Sequence, residues 1–240
     1  MPSEDALREK LATASRILAL KGLVGLYGHV SAYDPETDRV YLTPGAGSDR
    51  ANVKPEDLWV FNSAGEKLSG EGRLALEWPI HTCIHAAHKD ALAVAHLHAP
   101  FSTLFAIAER EFRPVTINGA MFAQGLGWYD YLGLVTTLEE GRRMASALGP
   151  GQRGVLMRGH GSAVVGRTVE EMLHACLILE DNAMKIWMAS SLGPIRSLSV
   201  EDCQTIIGRG VPSTDAPWMF LTRQDSVWDH QPAGGWHPLE

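Results

Sequence analysis

Residues 77–100 read EWPIHTCIHAAHKDALAVAHLHAP and contain five of the chain's ten histidines, together with the carboxylate of Glu77. The end of this stretch, residues 94–98, is apolar apart from its two histidines and is typical of a buried strand. Because successive side chains of a strand alternate between faces, His96 and His98 are predicted to project from the same side, about 7 Å apart. Two imidazoles in that arrangement can bind one metal ion, or they can be hydrogen-bonded within a sheet.

A third histidine favours the metal interpretation. His160 lies in the segment Met157-Arg158-Gly159-His160-Gly161, and the apolar residues 154–157 before it predict another strand. The glycines on either side of His160 permit a close approach of the backbone. These features predict that His160 joins His96 and His98 at one site.

Glu77 is the carboxylate that can complete such a site. It directly precedes a predicted helix over residues 78–88, where the helix dipole alone would stabilise a glutamate. A short return from this helix to the strand that carries His96 and His98 can also place Glu77 beside the metal. There it can ligate the ion or transfer protons to and from a substrate.

The helix itself carries His81 and His85 at positions i and i+4. The helical zinc-protease motif requires a glutamate directly after the first histidine, and Thr82 occupies that place, so a protease is rejected. His81 lies one turn from Glu77 and is predicted to orient it. His85 and His88 are predicted to be exposed to solvent.

Composition narrows the class of protein. The 240 residues are 45% hydrophobic and 20% charged, as in one globular domain, and the net charge of −7 argues against a nucleic-acid partner. Three scattered cysteines predict buried free thiols rather than disulfides or a thiolate zinc site. No apolar run reaches membrane-spanning length, and the first residues lack the apolar core of a signal peptide, so a cytoplasmic location without a membrane partner is expected.

The order of predicted elements indicates the fold class. A helix capped by Ser3 is followed by two hairpins within residues 25–68. Further helices are predicted at 78–88, 99–109, 138–147, 168–191 and 199–209, with strands on both sides of His160 and an irregular segment at 112–131. This order predicts an α/β fold with a mixed, largely antiparallel sheet between helical layers.

Taken together, five motifs resemble the class II aldolase/adducin superfamily over roughly residues 5–210. They are Gly28-His29-Val30-Ser31, Thr43-Pro44, Glu77 with His81, the run at 96–100, and Gly159-His160-Gly161. The resemblance implies a three-layer αβα fold for residues 1–210 and a C4 homotetramer with active sites between subunits. It also implies that His96, His98 and His160 bind one divalent metal ion and that Glu77 is the catalytic acid/base. Residues 211–240, with three tryptophans, lie outside the resemblance and are predicted to form a lid or a subunit contact.

Departures from the sugar-phosphate members indicate the substrate class. Those members carry Ser-Gly-Asn in the first glycine loop and a pair of Ser/Thr residues before the acid, whereas this chain has Tyr27-Gly28-His29, Ala75 and Leu76. A phosphate would lose charge-assisted hydrogen bonds worth ~1.5–3 kcal/mol each. The sequences Gly28-His29-Val30-Ser31 and Arg158-Gly159-His160-Gly161 look like the branch of decarboxylases that act on hydroxylated aromatic acids, such as 3,4-dihydroxyphthalate or a hydroxymethylpyridine dicarboxylate.

The predicted function is therefore a metal-dependent carbon–carbon lyase that decarboxylates a hydroxylated aromatic acid. The ion can be Zn, Mn, Co or Fe, since three imidazoles do not distinguish them. Candidates for contact with the small-molecule substrate are His29, Ser31, Arg158 and Tyr131. The alternatives are a loop histidine that contacts backbone for His29, a surface position for Arg158 and core packing for Tyr131. Alternative functions are an aldolase acting on a small aldol or phosphoketose, a sugar-phosphate 4-epimerase, an iron-dependent oxygenase and an adducin-like interaction module.

Overall fold

A computed structural model of the chain describes residues 2–210 and 214–228. Within these residues the chain forms eight strands, seven α-helices and three short 3-10 helices. The strands are β1 His29–Asp34, β2 Arg39–Leu42, β3 Trp59–Phe61, β4 Lys67–Ser69, β5 Ala93–Leu97, β6 Gly127–Tyr129, β7 Gly154–Met157 and β8 Gly161–Gly166. The helices are α1 Glu4–Leu20, α2 Trp78–Ala87, α3 Ser102–Ile107, α4 Leu138–Ser146, α5 Val169–Ala189, α6 Val200–Gly208 and α7 Asp215–Trp228.

All eight strands form one sheet in the order β4-β3-β2-β1-β5-β8-β7-β6. Every neighbouring pair is antiparallel except β6 and β7, which confirms the predicted mixed, largely antiparallel sheet. The central strand β5 lies between β1 and β8, with His96 opposite His29 on one side and Ala163 on the other. The histidine-rich stretch is thus the middle of the sheet.

Helices cover both faces of the sheet, as the three-layer fold requires. On one face, Ala93 and Ala95 of β5 belong to a core built with α1 and α5. On the other face, Val94 belongs to a second core built with α2 and α4. The alternation along β5 follows from the two-residue period of a strand, and it shows why the strand is apolar on both sides.

Helix boundaries follow the predicted caps closely. Ser3 caps α1 as predicted by accepting a hydrogen bond from the Ala6 amide at 3.3 Å, and Ser199 with Asp202 forms a capping box at the start of α6. The helix predicted at 99–109 is shorter, because α3 begins where the Glu180 carboxylate accepts hydrogen bonds from the amides of residues 101 and 102. The predicted irregular segment contains a 3-10 helix, Asn118–Phe122, and β6.

Helix α7 was not predicted. It lies against α1 and α5, with Leu221 buried and the Asp225 carboxylate 2.9 Å from the Arg16 guanidinium. The part of the predicted lid or subunit contact that includes Trp236 lies outside the described residues, so that role stays a prediction.

The three cysteines, Cys83, Cys176 and Cys203, are buried free thiols, as predicted. In the described part of the chain, the helices are too short or too polar to cross a lipid bilayer. The cytoplasmic location expected from the sequence stays a prediction.

Candidate active site

Three imidazoles meet at one end of the central strands. His96 is the penultimate residue of β5, and His98 follows that strand directly. His160 lies in the tight turn between β7 and β8. The ring centroids of the three imidazoles are 4.8–5.0 Å apart. One ligand atom from each histidine and one from Glu77 lie within 4.8 Å of one another. These four residues form a cluster that can hold a metal ion.

The hydrogen bonds of the cluster suit a divalent ion. The Nδ1 of His96 is 3.1 Å from the Ser162 carbonyl, which can only accept, so the Nε2 of His96 carries the free lone pair. That Nε2 is 3.0 Å from the Nε2 of His98, while the Nε2 of His160 is buried without a hydrogen-bond partner. Burial, followed by the repulsion that protonated His96 and His160 rings would exert, lowers the pKa of His98 to about 3 and keeps it in the neutral form that can bind a metal.

Glu77 points one carboxylate oxygen at this cluster. It occupies the N-cap of α2, and its Oε1 accepts a hydrogen bond of 2.9 Å from the amide of Val135. Its Oε2 is 3.3 Å from the Nε2 of His96 and 3.4 Å from that of His160. Burial acts to raise the pKa of Glu77, but the imidazoles of His160 and His96 outweigh it and hold that pKa well below its ordinary value. The carboxylate is therefore ionised and fixed at one end.

The glycine after His160 is required by the approach of two strands. A Cβ at position 161 would lie 2.2 Å from the carbonyl oxygen of Leu97. The close backbone approach predicted from the glycines around His160 is confirmed here, and it brings the turn that carries His160 against the end of β5.

A cavity of about 740 Å³ opens onto the cluster and includes Glu77, His98 and His160 in its wall. Its rim carries exposed apolar side chains, among them Tyr27, Leu132 and Leu134. His29 also lines the cavity, and it pairs with His96 on the neighbouring strand of the sheet. A cavity of this size holds a small organic molecule.

Behind His29, a chain of hydrogen bonds runs into the protein between β1 and α2. The Nδ1 of His29 is 2.6 Å from the Nε2 of His81, whose Nδ1 is 2.6 Å from the Ser31 hydroxyl. That hydroxyl is 2.8 Å from the Nε2 of His85, whose Nδ1 is 2.5 Å from the Ala91 carbonyl. All four side chains are buried.

The Ala91 carbonyl sets the direction of the whole chain. This carbonyl can only accept, so His85 donates to it from Nδ1. The Nε2 of His85 then accepts from the Ser31 hydroxyl, and the oxygen of that hydroxyl accepts from the Nδ1 of His81. The Nε2 of His81 accepts in turn from the Nδ1 of His29, which leaves the Nε2 of His29 as an unprotonated acceptor. Burial first, and then neighbouring positive charge, lowers the pKa of His29 and of His81 well below its ordinary value, so both rings are neutral.

Comparison with known proteins agrees with this geometry. The family model for the class II aldolase and adducin N-terminal domain matches residues 9–187. The chain belongs to the class II aldolase and adducin family. A solved structure of an aldolase II superfamily protein from Pseudomonas syringae superposes with a TM-score of 0.81 at 24% identity, covering 95% of this chain and 94% of that one, and shows the same fold.

Curated relatives in this family differ in activity. The chain is 32% identical over 61% of its length to a 4-hydroxy-3-prenylphenylpyruvate oxygenase/4-hydroxy-3-prenylbenzoate synthase of Streptomyces roseochromogenus, and spans about half (53%) of that protein. It is 29% identical to a 5-methylthioribulose-1-phosphate/5-deoxyribulose-1-phosphate aldolase of Rhodospirillum rubrum, over 85% of this chain and 91% of that one. It is 27% identical to the 3,4-dihydroxyphthalate decarboxylase of Rhodococcus jostii, over 89% and 93% of the two chains. Lyases are thus prominent among the relatives.

Two predictions about the helical histidines of this family member were wrong. His85 is buried rather than exposed, and His81 bonds to His29 and Ser31 rather than orienting Glu77. The reason is that α2 packs its whole circumference, with residues 79–85 all buried, so its histidines need partners inside the protein. The absence of Asp, Glu, Lys and Arg between Trp78 and Ala87 is the signal that was missed. His88 is half-buried and bonds to the Ala145 carbonyl.

The other candidates for substrate contact are placed differently. Arg158 lines the cavity, although β7 ends at Met157, and its guanidinium pairs with Asp130 at 3.0 Å and Glu109 at 3.2 Å. The Tyr131 hydroxyl donates to Glu140 at 2.7 Å, and Tyr131 is not part of the described cavity wall. A contact of Tyr131 with a neighbouring subunit's site stays a prediction.

His85 gives a testable pH dependence of stability. Burial lowers its pKa to about 4, against about 6.5 in the unfolded chain, so below pH 6.5 protons bind preferentially to the unfolded state. This group therefore costs almost no stability well above pH 6.5, and its cost grows to on the order of 2 kcal/mol by pH 4.5. Urea unfolding of chelator-treated protein at pH 7 and pH 4.5 should show a smaller loss of stability for His85→Gln than for wild type. Equal losses would contradict the prediction.

Proposed function

We propose that this protein is a divalent-metal-dependent carbon–carbon lyase that decarboxylates a hydroxylated aromatic carboxylic acid. The observation that carries the proposal is the convergence of Glu77 and three imidazoles in a cavity with an apolar rim. The residues before Glu77, Ala75 and Leu76, offer no side-chain hydroxyl to a phosphate. Similarity to the 3,4-dihydroxyphthalate decarboxylase over most of both chains supports this branch of the family.

We assign His96, His98 and His160 as the ligands of the metal. Three neutral imidazoles leave the 2+ charge of a Zn, Mn, Co or Fe ion uncompensated. When bound, such an ion would polarise the substrate's phenol and carboxylate oxygens and stabilise the negative charge that develops when CO2 leaves.

Glu77 moves the proton. Its ionised Oε2 takes the phenol proton and returns it to the ring carbon that bears the carboxylate. The bond between that carbon and the carboxylate then breaks, its electron pair stays in the ring, and CO2 leaves. A hydroxyaryl carboxylate thereby becomes a phenolate and CO2, with no proton taken from outside. The amide of Val135 holds Oε1 and keeps Oε2 aimed at the reacting atoms during both transfers.

His29 orients the substrate in this scheme. Its Nε2 is a hydrogen-bond acceptor because the chain through His81, Ser31 and His85 ends on a backbone carbonyl. An acceptor suits a substrate hydroxyl better than an ionised carboxylate. Ser31, which was expected to contact substrate, acts in this proposal as a positioning residue for His29, since it is fully buried.

The cavity rim supports a subunit contact. Tyr27, Leu76, Leu132 and Leu134 are each more than half exposed and lie around the opening. Contiguous exposed apolar side chains are typical of interaction surfaces. We therefore retain the C4 homotetramer implied by the family, with this rim covered by a neighbouring copy, and light scattering of the purified protein checks it.

The test of the function is release of CO2. Purified protein is analysed for bound metal and then assayed anaerobically, with each of the four metals, against ortho-hydroxylated aromatic acids. Aldol cleavage of free and phosphorylated ketoses is measured in parallel. We expect metal-dependent CO2 release at rates that fall when the metal is chelated. Cleavage of a ketose without CO2 release from any aromatic acid would overturn the decarboxylase proposal.

The second candidate is a class II aldolase acting on a small aldol or phosphoketose. It is favoured by the alignment with the Rhodospirillum rubrum aldolase over most of both chains. The parallel aldol assay separates it from the decarboxylase. The missing phosphate-binding hydroxyls also argue against a sugar-phosphate 4-epimerase. An adducin-like interaction module would have no need of the metal cluster.

A further inference from the structure

The cavity contains a buried cation whose charge has no counterpart in the described residues. Arg50 lines the cavity although the residue is only 3% exposed. Its Nη1 donates to the Pro44 carbonyl and, at 2.8 Å, to the Ser48 hydroxyl. Its Nε and Nη2 are buried without any hydrogen-bond partner, and no carboxylate of the described chain pairs with it.

Such an arrangement is costly unless a partner arrives. Burial lowers the pKa of Arg50 to about 10, which reports the loss of hydration of its charge. A buried guanidinium is ordinarily paired with a carboxylate, and leaving its donors unmade costs more than an ordinary hydrogen bond returns. Arg158, the arginine named as a candidate from the sequence, contrasts with Arg50, because its side chain is 41% exposed and its guanidinium already pairs with Asp130 and Glu109.

The loop that carries Arg50 is fixed against the segment that carries Glu77. The amide of Gly45 donates to the Arg73 carbonyl at 2.7 Å, and the Arg73 guanidinium donates to the Ala46 carbonyl at 3.2 Å. A Cβ at position 45 would lie 2.3 Å from the Leu74 carbonyl oxygen, so only glycine permits this contact. Glu77 follows Arg73 by four residues, so these contacts hold Arg50 at a set position relative to Glu77. Arg73 lines the same cavity.

We propose that Arg50 binds an oxyanionic group of the substrate, a carboxylate or a phosphate, that is distinct from the oxygens at the metal cluster. The two free donors, Nε and Nη2, lie on one edge of the guanidinium and match the two oxygens of such a group. Arg73, with no carboxylate partner among the described residues, adds a second positive charge. The inference rests on the proposed function only in taking the cavity as the substrate site.

Two pairs of probes test it. Salicylate and 3-hydroxyphthalate share a phenol with an adjacent carboxylate and differ by a second carboxylate. Dihydroxyacetone and its phosphate share a hydroxyketone and differ by the phosphate. Affinities are measured by isothermal titration calorimetry on Mn²⁺-loaded wild type, Arg50→Gln, Arg50→Lys and Arg158→Gln, with the exposed Arg142→Gln as a charge-removal control.

In one pair, we expect wild type to prefer the member with the additional anionic group, 3-hydroxyphthalate or dihydroxyacetone phosphate. The expected preference is about 10- to 100-fold, which a charge-assisted contact with two donors supplies. Arg50→Gln should remove this preference and Arg50→Lys should reduce it, while Arg142→Gln retains it. Arg158→Gln should change it less than Arg50→Gln does. Since Arg50 makes no buried ion pair, its glutamine variant should fold, and the lysine variant provides a second measurement.

The outcomes separate this inference from the proposed function. Loss of a carboxylate preference in Arg50→Gln identifies a dicarboxylic substrate. Loss of a phosphate preference identifies a phosphorylated one, and Arg50 then stands while the decarboxylase proposal falls. The inference is overturned if wild type prefers neither anion-bearing probe, if both Arg50 variants keep the preference, or if only Arg158→Gln removes it.

Discussion

Glu77→Gln is expected to lower turnover by about 10²- to 10⁴-fold while the bound metal remains, because the amide can neither take nor return a proton. Glutamine has nearly the same shape, and its amide oxygen can still accept the hydrogen bond from the Val135 amide. The position of the side chain is therefore preserved and only its proton chemistry is removed. Turnover is measured on the substrate that the CO2 or aldol assay identifies, and metal content by mass spectrometry of the purified variant.

The matched control is Glu139→Gln, an exposed glutamate in the first turn of α4 that lies outside the cavity wall. It removes the same charge and should retain wild-type turnover. Full activity of Glu77→Gln would remove its role in proton transfer. Loss of metal from Glu77→Gln would show that the carboxylate is needed chiefly as a ligand.

His98→Ala and His160→Ala are each expected to lose the metal ion. Mutation of residues that merely support metal ligands typically costs 10- to 100-fold in metal affinity, so removal of one of three ligands should cost more than about 100-fold. Wild type should hold about one ion per chain after dialysis, and each variant almost none. The metal should also raise the melting temperature of wild type and leave that of the variants unchanged, since a ligand stabilises only the state that binds it.

His174→Ala serves as the control for this prediction. His174 is a half-buried histidine of α5 outside the cluster, so its loss removes an imidazole without touching the predicted ligands. It should retain full metal content. The three-histidine assignment is abandoned if His98→Ala and His160→Ala both keep one ion per chain through dialysis.

Periodic signals in the sequence predicted much of this architecture. The alternation at residues 94–98 predicted that His96 and His98 lie near one another, and the glycines around His160 indicated a close backbone approach. The Ser3 cap predicted where α1 begins. These signals succeed because each depends on neighbours within a few residues, where strand geometry and capping chemistry leave little freedom.

Predictions for polar side chains were weaker when their partners lie far along the chain. Histidine at helical spacing suggested a solvated face for His85, yet the partner of His85 is Ser31, 54 residues away. Arg50, in a loop rich in glycine and polar residues, gave no sign of burial. Arg158 was a candidate for substrate contact, but Glu109 and Asp130 pair with its guanidinium.

The sequence by itself determined the family, the layered fold class and the set of residues that can hold a metal, because those follow from local periodicity and recognisable motifs. Only the tertiary structure decided which nitrogen of His29 is left as an acceptor and which buried arginine is left without a counterion. Both depend on groups from separate strands, helices and loops that meet only when the sheet assembles. Inside the protein, where water cannot substitute, each of those meetings determines whether a polar group is satisfied or is left to bind a substrate.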